Sequence, residues 1–185
     1  MKKLLALTAL AVLAACSSDP APVSYSAPVG ISLPVASKDV VSDAFAVDKS
    51  INTENGNPYG AFVNEARARI GHDPSRIVVS GTTLTLLGSS TGVSALEQAF
   101  ANESVSFQMS GTNAVYPVAH LAGSTGVGPV RLAVDFNAAA LTDVDRVALV
   151  QGQFKVVLSG TPAPGFATAN ALADVVVTLE FIAYE

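Results

Sequence analysis

Apolar and polar residues alternate with a period of two along much of the second half of the chain. Shorter runs of this kind cover residues 105–109, 130–136 and 153–160. The longest run covers residues 173–185, where one face collects Val175, Val177, Leu179, Phe181 and Ala183. Because successive side chains of a strand point to opposite faces, this alternation predicts strands with one buried face.

Two strands are also predicted in less regular stretches of the first half. Residues 40–48 place Val41 and Phe45 on one apolar face. In residues 76–87 the apolar side chains change from odd to even positions along the strand. A β-bulge inserts one extra residue and reverses the faces, so we predict a bulge near Gly81.

A helix of about three turns is predicted between Asn57 and Gly71. Asn57 can cap its start, Pro58 suits the first helical position, and Gly71 suits the left-handed residue that ends many helices. Two shorter helices are predicted after Ser94 and Thr142, because both hydroxyl residues can act as N-caps.

These elements amount to about seven strands with turn signals between them and short helices at the crossings. We therefore predict a mainly β fold, an antiparallel immunoglobulin-like β-sandwich with one N-terminal helix and short crossing helices. A closed barrel is the alternative architecture. The single domain is predicted to cover residues 38–185. Residues 16–37 precede the domain, and the Pro- and Ser-rich residues 17–36 among them are predicted to form an extended tether of roughly 60 Å. A short strand over residues 29–33, limited by the flanking prolines, is the alternative.

The first sixteen residues follow the pattern of an export signal. Lys2 and Lys3 precede an apolar run over residues 4–13, which is too short to cross a bilayer. This region ends in the sequence LAAC at residues 13–16, and Cys16 is the single cysteine of the chain. The stretch resembles the lipobox of bacterial lipoproteins.

The resemblance implies that residues 1–15 are a signal peptide that is removed, and that acyl chains on Cys16 hold the protein in a membrane. Three acyl chains bury enough methylene groups to make this attachment stable. In that family an aspartate after the cysteine favours the inner membrane; Ser17 follows here, which implies the outer membrane. The layout of the second half is also similar to single β-sandwich domains of bacterial lipoproteins, a similarity that implies no activity.

The charge of the chain narrows the classes of partner. The formal net charge is −5, and removal of residues 1–15 leaves 8 basic and 15 acidic residues, a net charge of −7 (8 − 15 = −7). This charge argues against nucleic acid, because basic surface supplies most of that affinity. It also argues against lying flat on anionic lipid. The predicted partners are the membrane, through the lipid on Cys16, and another protein of the envelope.

Catalytic patterns are scarce in this sequence. The two histidines, His72 and His120, fall in a loop and on a predicted edge strand, and no Gly-x-Ser-x-Gly motif accompanies them. A hydrolase that uses a serine with one of these histidines is therefore the weakest alternative. Two distant histidines and no free cysteine do not predict a zinc site.

Four oxygen-bearing residues at one strand end offer ligands of the kind that calcium binds. No glycine is placed for the sharp turn of a calcium loop, and one of the aspartates also fits the first turn of the helix after Thr142. We predict no metal site, no catalytic residue and no cofactor. The four residues are Asp135, Asn137, Asp143 and Asp145.

Taken together, the sequence predicts a non-enzymatic cell-envelope lipoprotein that acts as a structural, adhesive or assembly module, with Cys16 as its site of lipidation. Pro117 demotes residues 114–121 to an edge strand, so Tyr116 beside it marks where a partner strand would pair. The alternative is a binder of small ligands. Its cavity would lie between the sheets, lined by Phe107, Phe136, Phe154 and Phe181.

Overall fold

A computed structural model of the protein describes residues 23–54 and 56–185; the predicted signal peptide and Cys16 lie outside the described residues. The described chain is mainly β and contains two α-helices, α1 (Pro58–Ile70) and α2 (Asp143–Val150). The strands are β1 (Ser24–Ser32), β2 (Val35–Ala36), β3 (Val40–Val41), β4 (Ala44–Ile51), β5 (Arg76–Leu86), β6 (Phe100–Met109), β7 (Val115–Ala122), β8 (Val130–Arg131), β9 (Ala133–Val134), β10 (Phe154–Pro162), β11 (Leu172–Ala173) and β12 (Val175–Tyr184). Single 3₁₀ turns cover Ser37–Asp39, Leu96–Gln98, Ala138–Ala140 and Phe166–Thr168.

The strands form two main sheets, and every pairing in them is antiparallel. Sheet 1 has four strands in the order β1-β12-β5-β8, and sheet 2 has six in the order β3-β4-β10-β6-β7-β9. The short strands β2 and β11 pair separately. The predicted mainly β, antiparallel fold is confirmed.

The inward faces of the two sheets share one apolar core. Phe107 of β6 stacks on Phe181 of β12 with ring centroids 6.1 Å apart, which joins sheet 2 to sheet 1. Phe154 of β10 lies 4.9 Å from Phe107. The face predicted for the last strand, from Val175 to Ala183, is buried at every second residue. The period of two in the sequence of this strand therefore identifies the residues that lie in the core.

Strand order distinguishes these sheets from those of an immunoglobulin constant domain. Named A to G in chain order, the seven strands of eight or more residues (β1, β4, β5, β6, β7, β10 and β12) form sheets A-G-C and B-F-D-E. The immunoglobulin order is ABED and CFG. The difference lies in which strands become neighbours, and a period of two along each strand carries no information about that choice.

Helix α1 is present where the capping residues predict it. The Asn57 side chain accepts a hydrogen bond from the Tyr59 amide at 3.0 Å, Pro58 is the first helical residue, and Gly71 ends the helix with φ of 90°. Tyr59 is fully buried, and its hydroxyl donates to the Leu149 carbonyl of α2 at 2.7 Å. The two helices are therefore tied to each other as well as to the core.

The predicted tether is wrong from Ser24 onwards. Residues Ser24–Ser32 form β1, which pairs along its whole length with β12. Val29 and Ile31 are buried in the core, so this stretch alternates like any other strand despite its Pro and Ser content. Pro28 is tolerated because β1 is an edge strand, where one missing N–H disrupts the sheet least. The folded domain begins near residue 23 rather than at 38.

Two further strand predictions need correction. The stretch at 40–48 is a hairpin, because Ser42 and Asp43 adopt positive φ angles of 52° and 61° and turn β3 back onto β4; Val41 is consequently exposed instead of sharing the face of Phe45. The single strand predicted at 130–136 is two short strands, β8 in sheet 1 and β9 in sheet 2.

The predicted bulge in β5 is confirmed. The register with β12 shifts between Glu180 and Phe181, which pair with Gly81 and Val79. The shift turns the apolar side chains on both sides of the bulge towards the core.

Candidate functional site

The two histidines lie in different surroundings. His72 is exposed in the loop after α1, where its Nδ1 lies 2.7 Å from the Asp73 carbonyl oxygen. His120 is on β7, and its Nδ1 lies 2.6 Å from Oδ2 of Asp135, just after β9. A carboxylate at Nδ1 fixes the orientation of an imidazole ring. His120 and Asp135 were predicted in unrelated roles, and the structure brings them together.

The His120–Asp135 pair continues across the outward face of sheet 2. Ser104 of β6 lies opposite His120 in the strand register, and Ser159 of β10 lies opposite Ser104. The two serine Oγ atoms are 3.0 Å apart. We call Asp135, His120, Ser104 and Ser159 the polar row.

The polar row contains the residue types of a serine hydrolase, but their contacts differ from that arrangement. A nucleophilic serine needs hydrogen-bond contact with its base. Within residues 23–54 and 56–185, no hydrogen bond joins His120 to Ser104. The hydroxyl of Ser104 is instead directed to Ser159. Sequence reasoning missed this row, because the register of β6, β7, β9 and β10 creates it.

The four oxygen-bearing residues considered for calcium are dispersed among separate contacts. Asp135 contacts His120, Asn137 accepts a hydrogen bond from the Ala139 amide, and Asp143 pairs with Arg146 at 2.8 Å. In the described part of the chain, no group of three or more His, Cys, Asp or Glu side chains is placed to hold a metal ion.

Asp145 is a buried carboxylate at the centre of a hydrogen-bonded cluster near the surface. Its carboxylate accepts hydrogen bonds from the hydroxyls of Thr112 at 2.6 Å, Tyr116 at 2.7 Å and Thr142 at 2.7 Å. The hydrogen bond from Thr112, followed by those from Tyr116 and Thr142, lowers the pKa of Asp145. The same contact with Asp145 raises the pKa of Tyr116. The cluster ties α2 to the turn between β6 and β7.

Glu103 is a second buried carboxylate, on the inward face of β6. One of its oxygens accepts a hydrogen bond from the buried Ser124 hydroxyl. Its other oxygen, Oε2, has no hydrogen-bond partner among the described residues. Burial raises the pKa of Glu103. Burial therefore makes ionisation of this carboxyl group less favourable than in water.

The space proposed for a small ligand is occupied by aromatic rings. Phe107 contacts Phe136, Phe154 and Phe181, with ring centroids 5.3, 4.9 and 6.1 Å apart. Among five surface cavities of about 150 to 420 Å³ in the described chain, only Phe136 of this set lines one. Close packing of this kind is ordinary for a protein interior.

The predicted edge at Tyr116 is only partly open. β7 pairs with β6 on one side, and β9 covers Ala119 and His120 on the other. The Tyr116 hydroxyl donates to Asp145, so this half-buried side chain belongs to the Asp145 cluster. The outermost strands β3, β8 and β9 have only two residues each, and α1 packs along β1. Short or covered edges limit pairing with other chains.

None of the helices in the described residues is both long and apolar enough to cross a membrane. Comparison of the chain with protein-family models, curated proteins and solved structures gave no match.

Proposed function

We propose that the protein is a membrane-anchored, non-enzymatic lipoprotein of the cell envelope, acting as a structural, adhesive or assembly module. The observation that carries this proposal is the export signal that ends in LAAC at Cys16. The acyl chains on Cys16 would hold the protein in the outer membrane, with the domain outside the cytoplasm. The role needs no cofactor, and its protein partner would be another component of the envelope.

The short distance between Cys16 and the domain supports a role at the membrane surface. Ser24 begins β1, eight residues after Cys16 (24 − 16 = 8). Eight residues reach at most about 28 Å when fully extended. The domain would therefore stay next to the bilayer, where a partner in the same membrane can meet it.

The architecture we propose is a β-sandwich, immunoglobulin-like only in the loose sense of two antiparallel sheets over one core. The aromatic contacts between Phe107 and Phe181 support it, since they join the inward faces of both sheets.

The anchor is tested by changing Cys16 to serine. Wild-type protein should pellet with membranes after a high-salt wash, and mass spectrometry of its first peptide should show an acylated cysteine. Cys16→Ser should lose both properties, whereas Ser17→Ala, which leaves the acyl acceptor in place, should keep them. Retention of Cys16→Ser in the washed membranes would show that the lipid is not what holds the protein.

The assembly role is tested by crosslinking in native membranes followed by purification. A stoichiometric envelope protein should accompany the wild type and be lost with Cys16→Ser, because the anchor brings the two proteins together. Recovery of a solitary protein from crosslinked membranes would contradict the assembly role.

A hydrolase is the second candidate, favoured by the contact of His120 with Asp135 opposite Ser104. A fluorophosphonate probe labels serines that a neighbouring base activates. We expect no labelling of the wild type, since Ser104 contacts Ser159 instead of His120. Labelling that is lost in Ser104→Ala and kept in Ser106→Ala, the next outward serine of β6, would establish the hydrolase instead.

A further inference from the structure

We infer that one end of the domain is seated on the phosphate headgroups of the bilayer that holds the Cys16 lipid. This inference rests on the proposed lipid anchor and adds an orientation to it. The end in question, which we call the anchor end, comprises the start of β1, the end of β12, the start of β5, the last turn of α1 and the helix α2 beside them.

Backbone contacts place these elements side by side. The Glu185 amide donates to the Val23 carbonyl, and the Ser75 amide donates to the Tyr184 carbonyl, each at 3.0 Å. A cavity of about 150 Å³ between Ser75 and Val147 brings α2 to the same end. The segment that leads back to Cys16 therefore leaves the domain at this end, through Val23.

The anchor end carries four of the five arginines of the chain. Arg67 and Arg69 are in the last turn of α1, Arg76 is the first residue of β5, and Arg146 is in α2. Arg146 and Arg76 line one cavity together, beside Ser75. Arginine near a bilayer is attracted to lipid phosphate and can bind it with two parallel hydrogen bonds.

Two of these arginines lie over tyrosine rings. Cζ of Arg69 is 4.6 Å from the ring centre of Tyr25, and Cζ of Arg76 is 4.4 Å from that of Tyr184. Tyrosine is enriched at the headgroup level of membranes, because its ring is apolar and its hydroxyl is polar. The paired side chains thus match the chemistry of the bilayer interface.

Four acids lie beside the four arginines, the fourth being Glu185, whose side chain accepts a hydrogen bond from the Val23 amide. The attraction to lipid phosphate therefore comes from individual arginines and not from a net positive charge of this end. Three arginines form ion pairs with acids that are themselves partly exposed: Arg67 with Asp73, Arg69 with Glu65, and Arg146 with Asp143. Surface pairs of this kind contribute at most about 1 kcal/mol, so a lipid phosphate can replace the acid. Arg76 forms no ion pair with the described residues.

The reach of the chain excludes the inverted orientation. β5 runs from Arg76 at the anchor end to Leu86, whose amide donates to the Val127 carbonyl. Ten residue steps of a strand span about 34 Å. An inverted domain would hold Ser24 about 34 Å above the bilayer, which exceeds the reach of about 28 Å from Cys16.

Two matched labelling sites test the orientation. Val147 at the anchor end and Val127 at the opposite end are both 54% exposed, and each is changed to cysteine in the full chain. Because acylation occupies the Cys16 thiol, the new cysteine is the free thiol for a fluorophore. The protein is placed in vesicles of phosphatidylcholine and phosphatidylglycerol that carry a headgroup quencher.

We expect the label at position 147 to be quenched severalfold more strongly than the label at position 127. Equal quenching, or stronger quenching at 127, would overturn the inference. Flotation of the same samples with the vesicles reports the anchor separately. A protein that floats without the difference in quenching contradicts the orientation alone, whereas a protein that does not float contradicts the anchor and the orientation together.

The arginines are tested by combining Arg69→Gln with Arg76→Gln. Each cation near an anionic bilayer increases the equilibrium constant for contact with the bilayer about fivefold. The double variant should therefore lose most of the quenching at position 147. The control is Arg131→Gln, in the short strand β8, which should leave the quenching unchanged. Unchanged quenching in the double variant would show that lipid phosphates do not hold this end.

Discussion

Asp145 and Glu103 are both buried carboxylates, 1% and 2% exposed, but their oxygens meet different partners. Asp145 accepts hydrogen bonds from three hydroxyls. Glu103 accepts one, from Ser124, and its second oxygen has no partner among the described residues. Burial by itself therefore does not decide the charge of a carboxyl group.

The physical difference is the number of donors that replace water around each charge. Hydrogen bonds lower the pKa of Asp145, whereas burial raises the pKa of Glu103. A satisfied buried charge can join elements firmly, because every donor would lose its acceptor if they separated. Asp145 thus joins α2 to the β6–β7 turn, whereas Glu103 lowers the stability of the fold when it is ionised.

The largest expected effect is that of Asp145→Ala. The change removes the acceptor of three hydroxyls, and we expect the free energy of unfolding to fall by about 3–5 kcal/mol. Urea unfolding measures this loss. The control is Asp143→Ala, two residues earlier, because its side chain is 95% exposed and its one ion pair within residues 23–54 and 56–185 is with Arg146. Equal effects of the two variants would show that Asp145 has no special structural role.

The next effect is that of Tyr116→Phe, which removes one of the three donors and keeps the ring. We expect a loss of about 1.5–3 kcal/mol in the free energy of unfolding, as for a hydrogen bond to a charged group. The pKa of Asp145 should also rise towards its usual range. Tyr25→Phe is the control, because Tyr25 contacts Arg69 and Phe62 through its ring. A loss as large in Tyr25→Phe would contradict the role of the hydroxyl.

The two carboxylates should act oppositely on the pH dependence of stability. Asp145 has a lowered pKa, so its contribution is present above the unfolded value of about 3.9 and is lost as the pH falls through the folded value. Glu103 has a raised pKa, so its contribution is present below about 4.3 and is lost as the pH rises through the folded value.

Urea unfolding of Asp145→Asn and Glu103→Gln across acidic and neutral pH checks these signs. The deficit of Asp145→Asn relative to wild type should shrink in acid. The stability of Glu103→Gln relative to wild type should improve as the pH rises from about 4. A parallel pH dependence in all three proteins would show that neither group titrates differently on folding.

The smallest expected effect is that of Glu103→Gln at neutral pH. The amide cannot ionise and so avoids the cost of charging a buried carboxyl group, and we expect a gain of less than about 1 kcal/mol in the free energy of unfolding. Glu180→Gln, an exposed position on β12, is the matched control and should change little. A loss larger than the control's would show that the Glu103 carboxylate is better satisfied than its hydrogen bonds indicate.

The elements predicted well from sequence are those whose signals are local. The last strand alternates over ten residues, and α1 has a cap, a proline and a terminal glycine within its own segment. β1 was predicted as a tether, because its stability comes from pairing with β12, about 150 residues away in the chain. Residues 130–136 were predicted as one strand, because the alternation of apolar and polar residues continues where the chain crosses from one sheet to the other.

The candidate sites show the same division. The proposed lipidation motif at Cys16 is contiguous, so it can be predicted from the sequence without a fold. The contact of His120 with Asp135 depends on the pairing of β7 with β9, and the acceptor role of Asp145 depends on a turn about 30 residues away. Side chains that act through such long-range contacts cannot be grouped from spacing alone.

The sequence by itself determined the antiparallel β class, the position of α1 and the faces of its most regular strands, and it alone is the basis of the proposed anchor. These features depend on periods and caps that act over a few residues. Only the tertiary structure decided where the domain begins, which strands are neighbours and which end carries the arginines. It also decided that Asp145 and Glu103 differ, because the donors around a buried carboxylate come from distant segments that the fold brings together.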